Sequence, residues 1–270
     1  MNPAETTSGG QLKIVVAVEQ VPDLEGDLSL AADRRSVVTE GAEWDLTDGD
    51  LGALEAALEL RDAAGRGEVV VIGVSEPEAR GGVLTALALG GDRAVVVTHN
   101  SVEELDDLTV GRVLSSVVER EAPDLVLFAA GHDREAAGVA LAGFQGLARV
   151  TSVRRVELDF ERAVATAERA LPGGRVERLE VPTPALVTIA ADAFRPRYPT
   201  LSGIRLALRK PFEILTVDET GIDPAALDAA RGARVRSLAR PPRAAGAEMI
   251  EGSPDEIAER IADVIKGRIS

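Results

Sequence analysis

Apolar residues cluster along this chain in two different rhythms. In the first half, short unbroken runs recur: LKIVVAV at 12–18, EVVVIGV at 68–74, AVVVT at 94–98 and DLVLFAA at 124–130. Runs of this length mark strands buried on both faces, as in a parallel sheet between helix layers. Helical spacing fills the gaps. Leu51, Leu54 and Leu58 recur on one face of a helix that Asp50 can cap and that Gly65 and Gly67 can end. Further helices are predicted at 77–89, 104–121 and 133–147, while 19–45 has no helical period and predicts loops or a hairpin. This alternation implies right-handed crossovers and a parallel sheet covered on both faces, with ligands outside the carboxyl ends of its strands.

After residue 150 the rhythm becomes the period of two expected of half-exposed strands. VRRVELDF and RAVATAERA are short alternating runs, and LPGG at 171–174 is a turn into RVERLEV. PALVTIAADAF reads as a buried strand. Residues 212–240 offer a strand (FEILTV), a short helix (PAALDAAR) and another strand (ARVRSLA), before RPPRAAGAEMIEG, an aperiodic arm. The last helix is marked by a capping box, with Ser253, Pro254 and Glu256 at N-cap, N1 and N3. Its apolar face, Ile257, Ile261, Val264 and Ile265, must be buried either on its own sheet or on a partner subunit.

The expected architecture is an α/β, parallel-sheet, three-layer nucleotide-binding-like core, with an antiparallel strand extension and a C-terminal arm plus helix. Residues 1–11, rich in Ser, Thr, Gly and Pro, predict a disordered tail; 12–211 form the core, including a loop at 194–203, and 212–270 the extension. A hydrophobic content of 45% over 270 residues is enough for a full core. The chain has no cysteine, which removes disulfides, thiolate nucleophiles and cysteine-ligated clusters, and only His99 and His132 as histidines. Any redox role therefore needs an organic cofactor. A net charge of −15 argues against general nucleic-acid affinity, which rests on phosphate neutralisation. No apolar run approaches the length of a membrane span, and the start, MNPAETTSGGQ, has no leader pattern, so a cytoplasmic protein without membrane insertion is expected.

Two stretches carry candidate chemistry. AAGHDREAAG at 129–138 follows a central strand and opens a helix near Asp133. Gly131 permits close backbone approach, and the free amides beyond it can receive a phosphate, with His132 or Arg134 contributing. An ordinary turn with Asp133 as N-cap is the alternative. Ala17 and Val74, at matching strand ends, would line the same crevice, as would Ala137 and Gly138 on the helix. His99 in the THNS turn reads as a capping-region residue. No GxGxxG follows a strand, and neither GxxxxGK[ST] nor GxSxG occurs.

The second stretch is FRPRYPTLSGIRLALRKP at 194–211, a basic island in an acidic chain. It holds Arg195, Arg197, Arg205, Arg209 and Lys210 with no acid. Pro196 and Pro199 stiffen the segment around Tyr198, the sole tyrosine, and Thr200 can start a helix at Leu201. A leucine on a polar, proline-stiffened loop is a candidate protein contact; the alternative is a surface loop that offsets local acid.

These residues resemble the β subunit of electron transfer flavoproteins. That family shows a PAVVT strand and then PRYxTLPxIMxAxKKP; here stand Pro184, Ala185, Val187 and Thr188, then Pro196, Arg197, Tyr198, Thr200, Leu201, Ile204, Ala207, Lys210 and Pro211. KIVVAVEQVPD, TALALGGDRAVVV, PDLVLF and PPRAAG extend the resemblance over nearly the whole chain. It implies a heterodimer with an α subunit, sharing one FAD held mostly by α. Electrons would pass from flavoprotein dehydrogenases to a quinone oxidoreductase, and the loop around Leu201, with Arg197, Tyr198, Thr200 and Ile204, would dock the dehydrogenase. The family's β subunit also buries an AMP, or a second FAD in bifurcating members. Here the nucleotide loop departs: the family pattern GKQAIDDDxxQTG is a few residues longer, and only Asp133 and Gly138 match. Thr47, Asp48 and Gly49 replace an asparagine-proline-aromatic turn, and Leu24 replaces an aromatic residue near the flavin. The departures favour a divergent, non-bifurcating member and leave AMP open. A nucleotide-binding α/β module or enzyme without a redox role is the alternative function, and a pure scaffold a third.

Overall fold

The computed structural model describes residues 11–23, 29–100, 102–131, 134–241, 246–247 and 249–269. It divides into a unit ending at Ser237 and a second unit from Leu238. The expectations for residues 1–10, Leu24, His132 and Asp133 lie outside the described residues.

The first unit opens with β1 (Lys13–Ala17), followed by the antiparallel pair β2 (Gln20–Asp23) and β3 (Glu43–Leu46). Among its described residues, the stretch 19–45 thus contributes a strand pair. Next come α1 (Asp48–Ala64), β4 (Glu68–Ser75), α2 (Gly81–Leu89), β5 (Arg93–Thr98), α3 (Asp107–Glu121), β6 (Leu125–Ala129) and α4 (Glu135–Gln145). A 3-10 turn at Val102–Glu104 precedes α3, so the stretch 104–121 is not one helix; Asp106 caps α3 by accepting from Thr109 N–H at 2.9 Å. The antiparallel extension is β7 (Ala148–Asp159), β8 (Val164–Leu171) and β9 (Arg175–Pro182). β10 (Ala185–Ile189), α5 (Leu201–Ala207), β11 (Phe212–Thr216) and α6 (Pro224–Ala229) complete the unit.

Among the described residues, nine strands form one sheet in the order β11-β5-β4-β1-β6-β10-β7-β8-β9, parallel through β7 and antiparallel beyond it. Alternation along each central strand builds two cores. Ile14, Val16, Val69, Val71, Leu125 and Val187 face one layer, where Leu54, Leu58, Val83 and Leu87 of α1 and α2 pack. Val15, Val70, Ile72, Val126 and Leu186 face the other, against Val113, Leu114 and Leu141 of α3 and α4. Both faces of the parallel sheet are therefore covered, as the unbroken apolar runs require.

Two further local expectations are corrected. α1 is capped by Thr47 rather than Asp50: Thr47 Oγ1 accepts from Asp50 N–H at 3.1 Å and donates to Asp50 Oδ2 at 2.7 Å. Asp50 occupies the third helical position, and its carboxylate accepts from the Thr47 hydroxyl and, at 3.3 Å, from Glu19 N–H. ARVRSLA forms no strand. Instead, Asp106 Oδ2 accepts from the amides of Gly232 and Ala233, tying the start of that segment to the cap of α3 and away from any ladder.

The second unit holds α7 (Pro254–Ile269). Ser253 N–H donates to Glu256 Oε2 at 2.8 Å, and Glu256 N–H returns to Ser253 Oγ at 3.4 Å, the expected capping box. Among the described residues no helix is long and apolar enough to cross a membrane.

Candidate functional site

β1 lies between β4 and β6, and the chain leaves its neighbours in opposite directions across the sheet. Such a switch point opens a crevice at the strand carboxyl ends. Here Ala17, Val74, Phe128 and Ala129 line it, with Val102, Val110 and Leu114 opposite and Glu19, Asp50, Arg134 and Glu135 supplying polar groups.

Arg134 spans this crevice. Its Nε donates to Glu19 Oε1 at 3.1 Å, Nη1 to Leu105 O at 2.8 Å and Asp107 Oδ1 at 3.5 Å, and Nη2 to Val102 O at 3.3 Å. Glu135 turns back over the start of α4. Gly131, in the left-handed region at φ 74°, donates its N–H to Glu135 Oε2 at 2.8 Å. The buried Thr188 hydroxyl donates to Glu135 Oε1 at 2.8 Å and accepts from Ser152 N–H at 2.8 Å. The cavity remaining is about 30 Å³, room for one or two waters. A nucleotide site needs roughly 300 Å³ or more.

Ala17, Val74 and Arg134 therefore meet at one crevice, with Gly131 at its rim. Ala137 and Gly138 point into the core instead; a Cβ on Gly138 would lie 2.9 Å from the Phe128 ring, so this glycine serves close helix–strand packing. Glu19 and Glu135 were not singled out in the sequence; Asp50 was read only as a helix cap and Thr188 only as part of a strand motif. Glu135 offered a signal as an acid at the first position of a helix, where the dipole favours it.

At the same end of the sheet, the chain leaves β10 and runs to α5. Arg197 lies against α1: Nε is 2.9 Å and Nη2 2.8 Å from the Glu55 carboxylate, the Arg197 backbone N–H donates to it at 3.0 Å, and Nη2 also reaches Asp62 at 3.2 Å. Thr200 caps α5, accepting from Gly203 N–H at 3.0 Å. Lys210 closes the other side, donating to Leu87 O at 2.8 Å and Gly91 O at 2.6 Å, where burial holds its pKa below the ordinary lysine value. A Cβ on Gly203 would lie 2.5 Å from Ala88 O, so α5 sits directly on α2.

Two of the five basic groups thus turn inward, while Arg195, Arg205 and Arg209 stay exposed. Between them Tyr198 is 85% and Leu201 80% exposed, with Ile204, Leu206 and Leu208 also at the surface. Glu55 was missed, yet it stands on the α1 face of Leu51, Leu54 and Leu58. An acid on an apolar helix face signals a buried charge with a partner.

Fold and geometry together define a three-layer α/β subunit whose strand-end crevice is internally filled and whose outer surface carries an anchored apolar-and-basic platform. A family model described as the electron transfer flavoprotein domain matches residues 35–242. The chain belongs to the electron transfer flavoprotein family, whose role is to carry electrons. It is 32% identical over 259 residues to the electron transfer flavoprotein subunit beta of Methylophilus methylotrophus, covering 94% of this chain and 98% of that one. The human subunit beta is 30% identical over 254 residues, covering 92% and 96%. The mitochondrial subunit beta of Arabidopsis thaliana is 28% identical over 253 residues, covering 93% and 97%.

Proposed function

We propose that this chain is the β subunit of a heterodimeric electron transfer flavoprotein, paired with an α subunit that holds most of a shared FAD. In this reading electrons enter from a flavoprotein dehydrogenase and leave to a quinone oxidoreductase, and the 194–203 segment docks the dehydrogenase. The bound flavin supplies the electron chemistry; this chain supplies partner choice and orientation. The crevice among the described residues is too small for a dinucleotide, which supports a flavin carried chiefly by the other subunit.

The observation that carries the docking reading is Leu201, 80% exposed at the first position of a helix held rigid on both sides. Arg197–Glu55 and Lys210 fix the backbone, so little ordering entropy is lost when the exposed apolar group enters a partner pocket. Arg195, Arg205 and Arg209, all exposed, flank it in sequence within an otherwise acidic chain. A partner with an apolar pocket and an acidic rim fits that surface, and opposite charge would speed its encounter.

Co-expression with a co-encoded α subunit tests the reading. A yellow heterodimer with a flavin spectrum that accepts electrons from a dehydrogenase is the expected product. A colourless monomer that binds ATP would overturn it in favour of a nucleotide-binding module.

A further inference from the structure

We infer that Arg134 and Glu135 take the place of a nucleotide in the β1–β4–β6 crevice, so that this subunit folds and pairs without AMP bound there. The inference extends the proposed function and concerns a site that the fold would ordinarily give to a phosphate.

Three observations converge. The first is space: with the Arg134 side chain laid across from Glu19 to Val102 and Leu105, about 30 Å³ remains, a small fraction of what an adenine nucleotide requires. The second is donor supply. A phosphate at a strand-to-helix turn binds free amides, but the Gly131 N–H already donates to Glu135 Oε2 at 2.8 Å. The Glu135 carboxylate is thus an internal anion at the start of α4, complementing the helix dipole as a phosphate would. Thr188, fully buried, holds its other oxygen at 2.8 Å.

The third is charge. Among the described residues, Glu19, Asp50 and Glu135 line the crevice and Asp107 stands at its edge, against the single guanidinium of Arg134. That guanidinium is already committed to two carboxylates and two carbonyls. A phosphomonoester entering this field would meet more carboxylates than cations in a partly dry site, where like charges repel strongly. Displacing Arg134 would also break its ion pairs with the half-buried Glu19 and Asp107.

The experiment uses the purified heterodimer. Bound nucleotides are released by denaturation and identified by chromatography and mass spectrometry, and the protein is then melted with and without millimolar AMP. FAD content reports on the proposed function, and AMP content on the crevice. Stoichiometric FAD with no stoichiometric AMP, and a melting temperature unmoved by added AMP, is the expected result. Stoichiometric AMP in the protein as isolated, or a saturable rise of several degrees with AMP, overturns the inference, because a ligand bound only to the native state must raise the melting temperature. A preparation with neither nucleotide rejects the shared flavin and leaves the filled crevice standing.

Discussion

Arg197 and Glu55, 142 residues apart in sequence, are joined by the Arg197 backbone amide at 3.0 Å and by guanidinium contacts of 2.8 to 3.0 Å. Glu55 is only 6% exposed, while Arg197 lies in the segment that presents Tyr198 and Leu201 to solvent. One buried carboxylate on α1 therefore fixes the path of the 194–203 segment. Arg197 holds the platform in place and is not itself its outermost charge.

Glu55→Ala should cost roughly 1–3 kcal/mol of unfolding free energy, because it leaves a charged guanidinium and a backbone amide without their main acceptor. Urea unfolding of the single and double variants with Arg197→Met checks this. The double variant should recover part of the loss, and additive effects would show that the two residues are not coupled.

Leu201→Ala should leave stability and flavin content unchanged, since the side chain is 80% exposed in this chain. A docked leucine is worth roughly 1.5–3 kcal/mol, hence on the order of 10- to 100-fold in partner affinity. Stopped-flow reduction by the cognate dehydrogenase should slow accordingly; wild-type kinetics would sink the docking role.

Gly203→Val should destabilise the protein by roughly 1–3 kcal/mol through overpacking. A Cβ there would meet the Ala88 carbonyl, a backbone atom that cannot swing aside. Because α5 must then lift from α2, electron transfer from the dehydrogenase should weaken together with the thermal midpoint. An unchanged midpoint would show that α5 floats free of α2.

Asp106 ties α3 to the segment after α6. Burial works against its charged form, but hydrogen bonds from the Thr109 hydroxyl and from the amides of Thr109, Ala233 and Gly232 lower its pKa from 3.8 to about 2. A carboxyl depressed on folding stabilises the protein above its unfolded pKa, and that contribution is lost as pH falls from about 4 towards 2. Asp106→Asn should therefore lower stability at pH 7, with the gap to wild type closing across this acid window. Denaturant midpoints measured against pH would show a constant gap if Asp106 does not carry the effect.

Much of the fold was legible because its signals are local. Unbroken Val, Ile and Leu runs require burial on two faces, helical spacing of leucines requires one apolar face, and SPDE requires a helix start. The same periodicity overreached at ARVRSLA, since alternation describes a strand only when a ladder edge is offered to it. There the amides of Gly232 and Ala233 found the Asp106 carboxylate first.

By itself, then, the sequence determined the parallel core, the antiparallel extension, the terminal helix cap and the Tyr198–Leu201 platform, each being written in neighbouring residues. Only the tertiary structure decided which charges point where. Arg134 finds Glu19 at a separation of 115 residues, and Arg197 finds Glu55 at 142. A charged side chain takes its role from whatever the fold brings within about 3 Å of it, because the cost of burial and the gain of pairing both depend on that neighbour. Hence an arginine that looked available for phosphate spans its crevice, and one that looked ready for a partner anchors the loop beneath it.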